Sequence, residues 1–145
     1  MIRRVGEPVR AGKKYIARPG AYAIVLHGGS VLLTHQVEPE PEFQLPGGGI
    51  DPGEQPIAAL HREVLEETGW RMRVLRRMGA FRRYTYMPEY DLWAEKICTV
   101  YLGQAVRRHG PPQEVGHSAH VVPLSLAAEM VGNPGDRLFL ERLLP

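Results

Sequence analysis

Short apolar runs, separated by turns rich in proline and glycine, dominate the pattern along this chain. Residues 21–26 and 31–34 flank a glycine-containing turn, which predicts a β-hairpin. Between residues 72 and 81, apolar residues alternate with arginines, as expected for a half-buried strand. The remaining strand candidates are residues 84–86, 94–106 and 121–124.

Three segments have helical character. The clearest is Pro56–Thr68, because proline is tolerated in the first turn of a helix and Gly69 suits the left-handed residue that ends one. Leucine spacing predicts a second helix over residues 136–144 and a single short turn over 125–130. Strands on both sides of a central helix indicate one α+β or α/β domain over residues 1–145, with a mixed sheet between helices.

The helix Pro56–Thr68 places three carboxylates beside its apolar face. At ~100° per residue, Ile57, Leu60 and Val64 fall on the side to be buried. The adjacent arc holds three glutamates, namely Glu63, Glu66 and Glu67. Their mutual repulsion, about 0.2–0.5 kcal/mol per pair in an isolated helix, favours a cation at this face. Oxygen ligands suit magnesium, manganese or calcium, although a solvated acidic face is the alternative.

A glycine-rich segment, residues 45–50, precedes this helix. Glycines allow the backbone to approach an ion or a phosphate closely, although a tight turn would also explain them. Glu54 follows the segment and can reach Arg62, which would fix the segment against the helix. Arg62 can also pair with Glu66 one turn along the helix.

These residues together resemble the Nudix box, a motif of nine specified positions. The matching residues are Gly48, Glu54, Arg62, Glu63, Val64, Glu66, Glu67, Gly69 and Trp70. The resemblance implies an α/β/α sandwich in which the box forms loop, helix and loop. It also implies that Glu63, Glu66 and Glu67 hold Mg²⁺ or Mn²⁺, with a backbone carbonyl of Gly47 or Gly48 as a further ligand. Gly48, Glu54 and Arg62 would then support the site.

The implied activity is metal-dependent hydrolysis of a phosphoanhydride in a nucleoside diphosphate linked to another group. A nucleoside triphosphate, a dinucleoside polyphosphate or a nucleotide sugar would all meet that description. The alternatives are a Nudix-fold binding or regulatory module without turnover, and a pyrophosphohydrolase acting on the 5′ end of RNA. Loss of a box glutamate would be expected in a silent module, and this chain retains them all.

The sequence does not decide whether the general base is a glutamate of the box or a residue outside it. Some members of the family use the glutamate that matches Glu63, whereas others use one beyond the box. Glu114, in the loop before residues 121–124, is the outside candidate, and an exposed loop carboxylate is its ordinary explanation. Glu95 is a third candidate, at the start of a strand.

The substrate is not specified by the box. Tyr84 and Tyr86 resemble the tyrosine of dinucleoside polyphosphate hydrolases in this family, whereas Pro88 resembles the proline of ADP-ribose hydrolases. Strand tyrosines are also ordinary core or surface residues. His117 and His120 have a spacing compatible with zinc, but no third ligand is evident.

Charge argues against a nucleic-acid partner. Eighteen Lys and Arg stand against sixteen Asp and Glu, so the net charge is near zero. Six arginines follow the box, namely Arg71, Arg73, Arg76, Arg77, Arg82 and Arg83. We interpret them as an outward strand face balanced by the acidic segment 38–42, with phosphate contact as the alternative.

The remaining features concern location and assembly. Cys98 lies in an apolar run and is expected to be a buried thiol, which fits a reducing compartment. Residues 1–10 lack a signal-peptide pattern, and no run approaches the ~20 apolar residues of a membrane span. We therefore expect a cytoplasmic protein, and a homodimer is a reasonable expectation for the family.

Overall fold

A computed structural model describes residues 2–145, and its elements form a mixed sheet with helices on both sides. The strands are β1 (Arg3–Arg4), β2 (Tyr15–His27), β3 (Ser30–Gln36), β4 (Glu42–Gln44), β5 (Gly47–Gly49), β6 (Trp70–Met87), β7 (Leu92–Arg108) and β8 (His117–Pro123). The helices are α1 (Pro56–Thr68), α2 (Leu124–Met130) and α3 (Pro134–Glu141). The main sheet has the order β1-β6-β7-β2-β3-β4, while β5 pairs with β2 and β8 pairs with β3.

The core lies on both faces of this sheet. On one face, Leu60 and Val64 of α1 pack with Ala21 and Ala23 of β2. On the other face, Ile24 belongs to a second cluster that includes residues of β6, β7, α2 and α3. Because β2 pairs in parallel with β7 and antiparallel with β3, the sheet is mixed. The expected sandwich of helix, sheet and helix is therefore confirmed.

Strand β6 is longer than its local pattern predicts. The predicted strands 72–81 and 84–86 are parts of this one strand, which pairs with β7 along its whole length. Three shifts of register interrupt the pairing, the first between Arg71 and Met72. An extra residue at such a bulge reverses the alternation of apolar and polar side chains. The sequence pattern therefore suggests that a strand ends there, although its hydrogen bonds to β7 continue.

The observed bounds of three other elements also differ from the predicted ones. Strand β2 begins at Tyr15 rather than at residue 21, because its first half pairs with β7 from Trp93 onward. The helix predicted over 136–144 is α3, which begins at Pro134 because the Asn133 side chain accepts a hydrogen bond from the Gly135 N–H. The glycines of the predicted loop 45–50 form the short strand β5 against β2.

The structure bears on two further expectations, the burial of Cys98 and the presence of membrane-spanning helices. Cys98 is buried, and burial raises the pKa of its thiol to about 12. Within residues 2–145, no helix has the length and apolar character required to cross a membrane.

Candidate active site

Helix α1 is the element that carries the box carboxylates. It ends at Gly69, whose φ of 77° is left-handed and whose N–H donates to the Leu65 carbonyl at 2.8 Å. A Cβ at Gly69 would lie 1.9 Å from the Gly110 carbonyl oxygen, so the close approach of the β7–β8 loop also requires glycine. Leu60 and Val64 are buried as predicted, whereas Ile57, in the first turn, is 38% exposed because the buried face of α1 starts only at Ala59.

Three carboxylates converge beside α1. Ligand oxygens of Glu63, Glu66 and Glu114 all lie within 4.8 Å of one another. Such a set of hard oxygen donors fits a divalent cation of the magnesium type, which normally completes its coordination with water and substrate phosphates. We call Glu63, Glu66 and Glu114 the carboxylate cluster.

Backbone hydrogen bonds bring Glu114 to the cluster. The N–H groups of Gln113 and Glu114 both donate to the Glu66 carbonyl, at 2.8 and 3.1 Å. The carbonyls in the last turn of a helix have no partners within the helix, so they are available to hold a passing loop. Glu95, the third candidate for a general base, instead accepts a hydrogen bond from the Tyr84 hydroxyl and lies near Arg82.

Arg62 ties the glycine-rich segment to the cluster. Its Nε and Nη2 atoms donate to the two carboxylate oxygens of Glu54, at 3.0 and 3.1 Å. Its Nη1 atom donates to Glu63 at 3.1 Å and to Glu66 at 3.4 Å. The hydrogen bonds from Arg62 and then from the Asp51 N–H lower the pKa of Glu54, which stays ionised. Glu54 and Arg62 therefore brace the loop and orient two of the clustered carboxylates.

Glu67 is not one of the three clustered carboxylates. It is 6% exposed, and its Oε1 atom accepts a hydrogen bond from the Gly47 N–H at 2.8 Å. Its Oε2 atom is 3.6 Å from Nδ1 of His117, which is also hydrogen-bonded to Thr34. Burial, more than the neighbouring carboxylates, raises the pKa of Glu67 to about 8. Its position joins α1 to the glycine segment and to β8.

Two glycines allow that segment to approach so closely. Gly47 has a φ of 145°, and a Cβ there would lie 2.2 Å from the Ala21 carbonyl oxygen. A Cβ at Gly48 would lie 2.9 Å from Cδ of Glu63. The backbone of β5 therefore passes directly beside Glu63 of the carboxylate cluster.

A cavity of about 630 Å³ lies between the β4 region and the end of β6, and none of the clustered carboxylates lines it. It is lined by Gln36, Pro39, Glu40, Glu42, Gln44, Arg83, Thr85, Tyr86, Met87, Pro88, Glu89 and Lys96. Of the lining residues, Gln36 pairs across β3 and β8 with His117, whose ring is 3.6 Å from Glu67. Acidic and basic side chains both line the cavity, so it can contact ribose hydroxyls and phosphates as well as a base.

The two candidate substrate tyrosines have different surroundings. Tyr86 lines the cavity, and its hydroxyl donates to Asp91. Tyr84 donates its hydroxyl to Glu95 at 2.8 Å, and its ring packs edge-on against Tyr15. In the described residues, Tyr84 is outside the cavity lining. The two tyrosines lie two residues apart on the same face of β6, where Tyr84 packs on Tyr15 and Tyr86 packs on Trp93, and of the two only Tyr86 lines the cavity.

The acidic segment 38–42 contributes to the cavity lining. Glu40 and Glu42 line the cavity together with Arg83 and Lys96, and no ion pair in residues 2–145 joins segment 38–42 to the arginines after the box. The expected balance of these arginines by residues 38–42 therefore stays a prediction, with Arg83 as the member that shares the cavity with Glu40 and Glu42. The acidic segment leads into β4, whereas all six of these arginines lie on β6.

Sequence reasoning missed two residues near the site. Asp136 is 3% exposed, and its Oδ2 atom accepts a hydrogen bond from the Leu45 N–H at 3.1 Å, which anchors the glycine segment to α3. His117 contacts Glu67 and Thr34, whereas His120 is hydrogen-bonded to Ser118. No local sequence pattern indicates either set of contacts, because Asp136 and His117 bind residues that are far away in the sequence.

The family profile described as NUDIX domain matches residues 17–143. The chain therefore belongs to the Nudix family. The fold agrees with solved structures: a MutT protein from Methanosarcina mazei Go1 has a TM-score of 0.70 at 26% identity, covering 89% of this chain and 94% of that one. A NUDIX hydrolase from Nitrosomonas europaea has a TM-score of 0.69 at 21% identity and covers 87% of each chain.

Curated relatives match over shorter stretches. A putative 8-oxo-dGTP diphosphatase from Bacillus subtilis is 36% identical over 78 residues, which cover 54% of this chain and 52% of that protein. An RNA pyrophosphohydrolase from Helicobacter pylori is 44% identical over 62 residues, or 39% of each protein. The chain thus spans about half or less of the length of these two relatives.

Proposed function

We propose that this protein is a divalent-metal-dependent hydrolase that cleaves a phosphoanhydride in a nucleoside diphosphate derivative. The observation that supports this most directly is the carboxylate cluster, which Glu63 and Glu66 of the box helix form with Glu114 beside the glycine-rich strand β5. The names of the Bacillus subtilis and Helicobacter pylori relatives, a diphosphatase and a pyrophosphohydrolase, agree with the same reaction type.

Mg²⁺ or Mn²⁺ would be held by Glu63, Glu66 and Glu114, with Glu67 and the Gly47 carbonyl as neighbouring ligands. When bound, the ion neutralises charge on the phosphate oxygens and lowers the pKa of a coordinated water. Arg62 holds Glu63 and Glu66 in position, so little reorganisation of the carboxylates is needed.

The remaining step is proton transfer, and we assign it to Glu114. The cluster's other two carboxylates accept hydrogen bonds from Arg62; within residues 2–145, Glu114 has no side-chain hydrogen bond. Glu114 takes a proton from the attacking water as its oxygen bonds to phosphorus. The bridging P–O bond breaks, and the electron pair leaves with the departing phosphate. If Glu114 serves only as a ligand, Glu63 is the base.

The cavity would receive the nucleoside part of the substrate. Arg83 and Lys96 offer positive charge to phosphates, Tyr86 offers an aromatic ring, and Gln36 and Gln44 offer amide groups to a base or ribose. Tyr84 supports this end of the sheet by its hydrogen bond to Glu95. A nucleoside triphosphate, a dinucleoside polyphosphate or a nucleotide sugar would fit this arrangement.

A second candidate activity is pyrophosphate removal from the 5′ end of RNA, which the name of the Helicobacter pylori relative favours. We also propose a cytoplasmic location, supported by the single buried thiol of Cys98, and a homodimer. Size-exclusion chromatography with light scattering tests the dimer, and a single-chain mass would contradict it.

The test of the activity is a screen with Mg²⁺ and Mn²⁺ of nucleoside triphosphates, diadenosine polyphosphates, ADP-ribose and 5′-triphosphorylated RNA, with products identified by mass. Turnover should stop when a chelator is added. Glu114→Gln should lower kcat by roughly 100-fold or more with little change in KM, if Glu114 acts as the base.

Glu129→Gln is the matched control, because Glu129 is an exposed carboxylate on α2, and it should keep wild-type kcat. An unchanged kcat in Glu114→Gln would transfer the role of base to Glu63. Absence of turnover on every substrate, from folded protein that binds Mn²⁺, would favour a Nudix-fold binding module instead.

A further inference from the structure

One uncovered face of the sheet is rich in arginine. The register places Arg73 opposite Gln104 and Arg76 opposite Leu102, on the side of the sheet that faces α3. Arg71 lies two residues before Arg73, on the same side, and pairs across the strands with Arg107. All four arginines are exposed. We call Arg71, Arg73, Arg76 and Arg107 the arginine face.

The positive charge of this face is not compensated within the fold. Neither residues 70–78 nor residues 101–109 include an acidic residue, and no ion pair in the described part of the chain involves these four arginines. Arg71 donates to His109 at 3.0 Å and Arg73 donates to Gln104 at 2.9 Å, but neither acceptor is a carboxylate. Arg71 opposite Arg107 is a like-charge pair, which weakens strand pairing.

Helix α3 leaves this part of the sheet open. It covers β6 at Gly79 and Phe81, where Phe139 and Gly135 pack closely. The arginine face lies beyond that contact, toward the start of β6. From Arg71 to Arg76 the face extends over roughly 16 Å, at ~3.3 Å per strand residue.

The arginine face begins close to the carboxylate cluster. Helix α1 ends at Gly69, only three residues after Glu66, and β6 starts at the next residue. The Cα of Arg71 is therefore on the order of 11 Å from that of Glu66, from helical and strand rise per residue. On the neighbouring strand, the His109 N–H donates to the Gly69 carbonyl at 2.7 Å. The side chains of this face point away from α1, on the opposite side of the sheet, so a chain whose 5′ phosphates occupy the cluster would reach them around the edge of β6, which β1 pairs only at Phe81 and Arg82.

We propose that the arginine face binds the body of a single-stranded RNA whose 5′-phosphorylated end is placed at the carboxylate cluster. Arginine suits this ligand because its planar guanidinium donates two parallel hydrogen bonds to a phosphate and also stacks on bases. The near-neutral net charge does not oppose it, since the positive charge is concentrated on one face rather than spread over the surface. The proposal rests on the second candidate activity.

Binding can be measured without catalysis. A fluorescent single-stranded RNA with a 5′-hydroxyl has no phosphoanhydride, so its affinity reports on the surface alone. The test variant combines Arg71→Gln, Arg73→Gln and Arg107→Gln. Three lost phosphate contacts should raise Kd by roughly 100-fold at 0.1 M salt and reduce the slope of log Kd against log salt by about 2.

A charge-matched control separates this face from general electrostatics. It combines Arg10→Gln, Lys14→Gln and Arg137→Gln, three exposed cations elsewhere on the surface. The control should keep the affinity and the salt slope of the wild type. Equal losses in the two triple variants would overturn the proposal, as would polyglutamate binding as tightly as the RNA.

Turnover provides the second measurement. The ratio of kcat/KM on a long 5′-triphosphorylated RNA to kcat/KM on a nucleoside triphosphate should fall in the test variant and stay constant in the control. Thermal unfolding should show no loss of stability in the test variant, because the like-charge pair is removed. An unchanged ratio would overturn the assignment.

The two proposals fail in different ways. Wild-type protein that hydrolyses nucleotides but does not bind RNA would refute the arginine face and leave the hydrolase intact. RNA binding that depends on the arginine face, without turnover of any substrate, would refute the hydrolase and leave the surface intact.

Discussion

The contact between Gly48 and Glu63 leads to a prediction that separates activity from stability. In Gly48→Ala, the added Cβ would lie 2.9 Å from Cδ of Glu63 and 3.0 Å from each of its carboxylate oxygens. Gly48 does not have a left-handed φ, so alanine can adopt its backbone conformation. Since the obstructing atoms are the end of a flexible side chain, we expect the Glu63 carboxylate to move while the backbone stays in place.

The distance that the Glu63 carboxylate must move sets the expected loss of kcat. Contacts of a Cβ become ordinary at about 3.4 Å, so the carboxylate must shift by roughly 0.5 Å. A misplacement of ~1 Å in a catalytic constellation can cost ~100-fold, so we expect kcat to fall roughly tenfold. The free energy of unfolding should change by less than about 1 kcal/mol, because no buried contact with the backbone is broken.

Three measurements test this prediction: kcat at saturating metal, Mn²⁺ affinity by isothermal titration, and thermal unfolding. Gly49→Ala is the matched control, since its Cβ would meet only the Pro19 carbonyl oxygen at 4.0 Å, and it should behave as wild type. Wild-type kcat and Mn²⁺ affinity in Gly48→Ala would refute the placement of Glu63 in the metal site. A large loss of stability would refute the claim that only the carboxylate moves.

Two further predictions concern buried carboxyl groups. Glu67→Gln should abolish metal-dependent turnover but keep the fold, because a glutamine carbonyl can still accept a hydrogen bond from the Gly47 N–H. In thermal melts, added Mg²⁺ should stabilise the wild type more than the variant. Turnover at the wild-type rate in Glu67→Gln would contradict the prediction. Burial raises the pKa of Asp136 from 3.8 to about 7, so its contribution to stability is complete below 3.8 and is lost as the pH rises through 7. Asp136→Asn should lack that part of the pH dependence in denaturant titrations from pH 4 to 8, and coincident pH profiles would count against it.

The sequence by itself determined the chemistry of α1. Helical periodicity is local, so the spacing of Glu63, Glu66 and Glu67 was enough to place them beside one buried face formed by Leu60 and Val64. The Gly69 end of the helix also followed from local backbone preference, and the box motif indicated the family and therefore the sandwich of helices around a mixed sheet.

The tertiary structure decided which of these residues meet. Glu114 joins Glu63 and Glu66 because a loop far along the chain donates two N–H groups to the Glu66 carbonyl, whereas Glu67 turns to the Gly47 N–H and to His117. Contacts of this kind depend on chain crossings, and no local pattern records them.

The arginines after the box show the same division. The sequence revealed Arg71, Arg73 and Arg76, but the side of the sheet that these three share and their lack of ion pairs depended on how β6 pairs with β7. Bulges shift the alternation of side chains along β6, and pairing with a strand some thirty residues away fixes each register. Side-chain direction in a strand is thus a property of the sheet, whereas in a helix it is a property of the sequence, because a helix forms its hydrogen bonds within itself and a strand forms them with its neighbours.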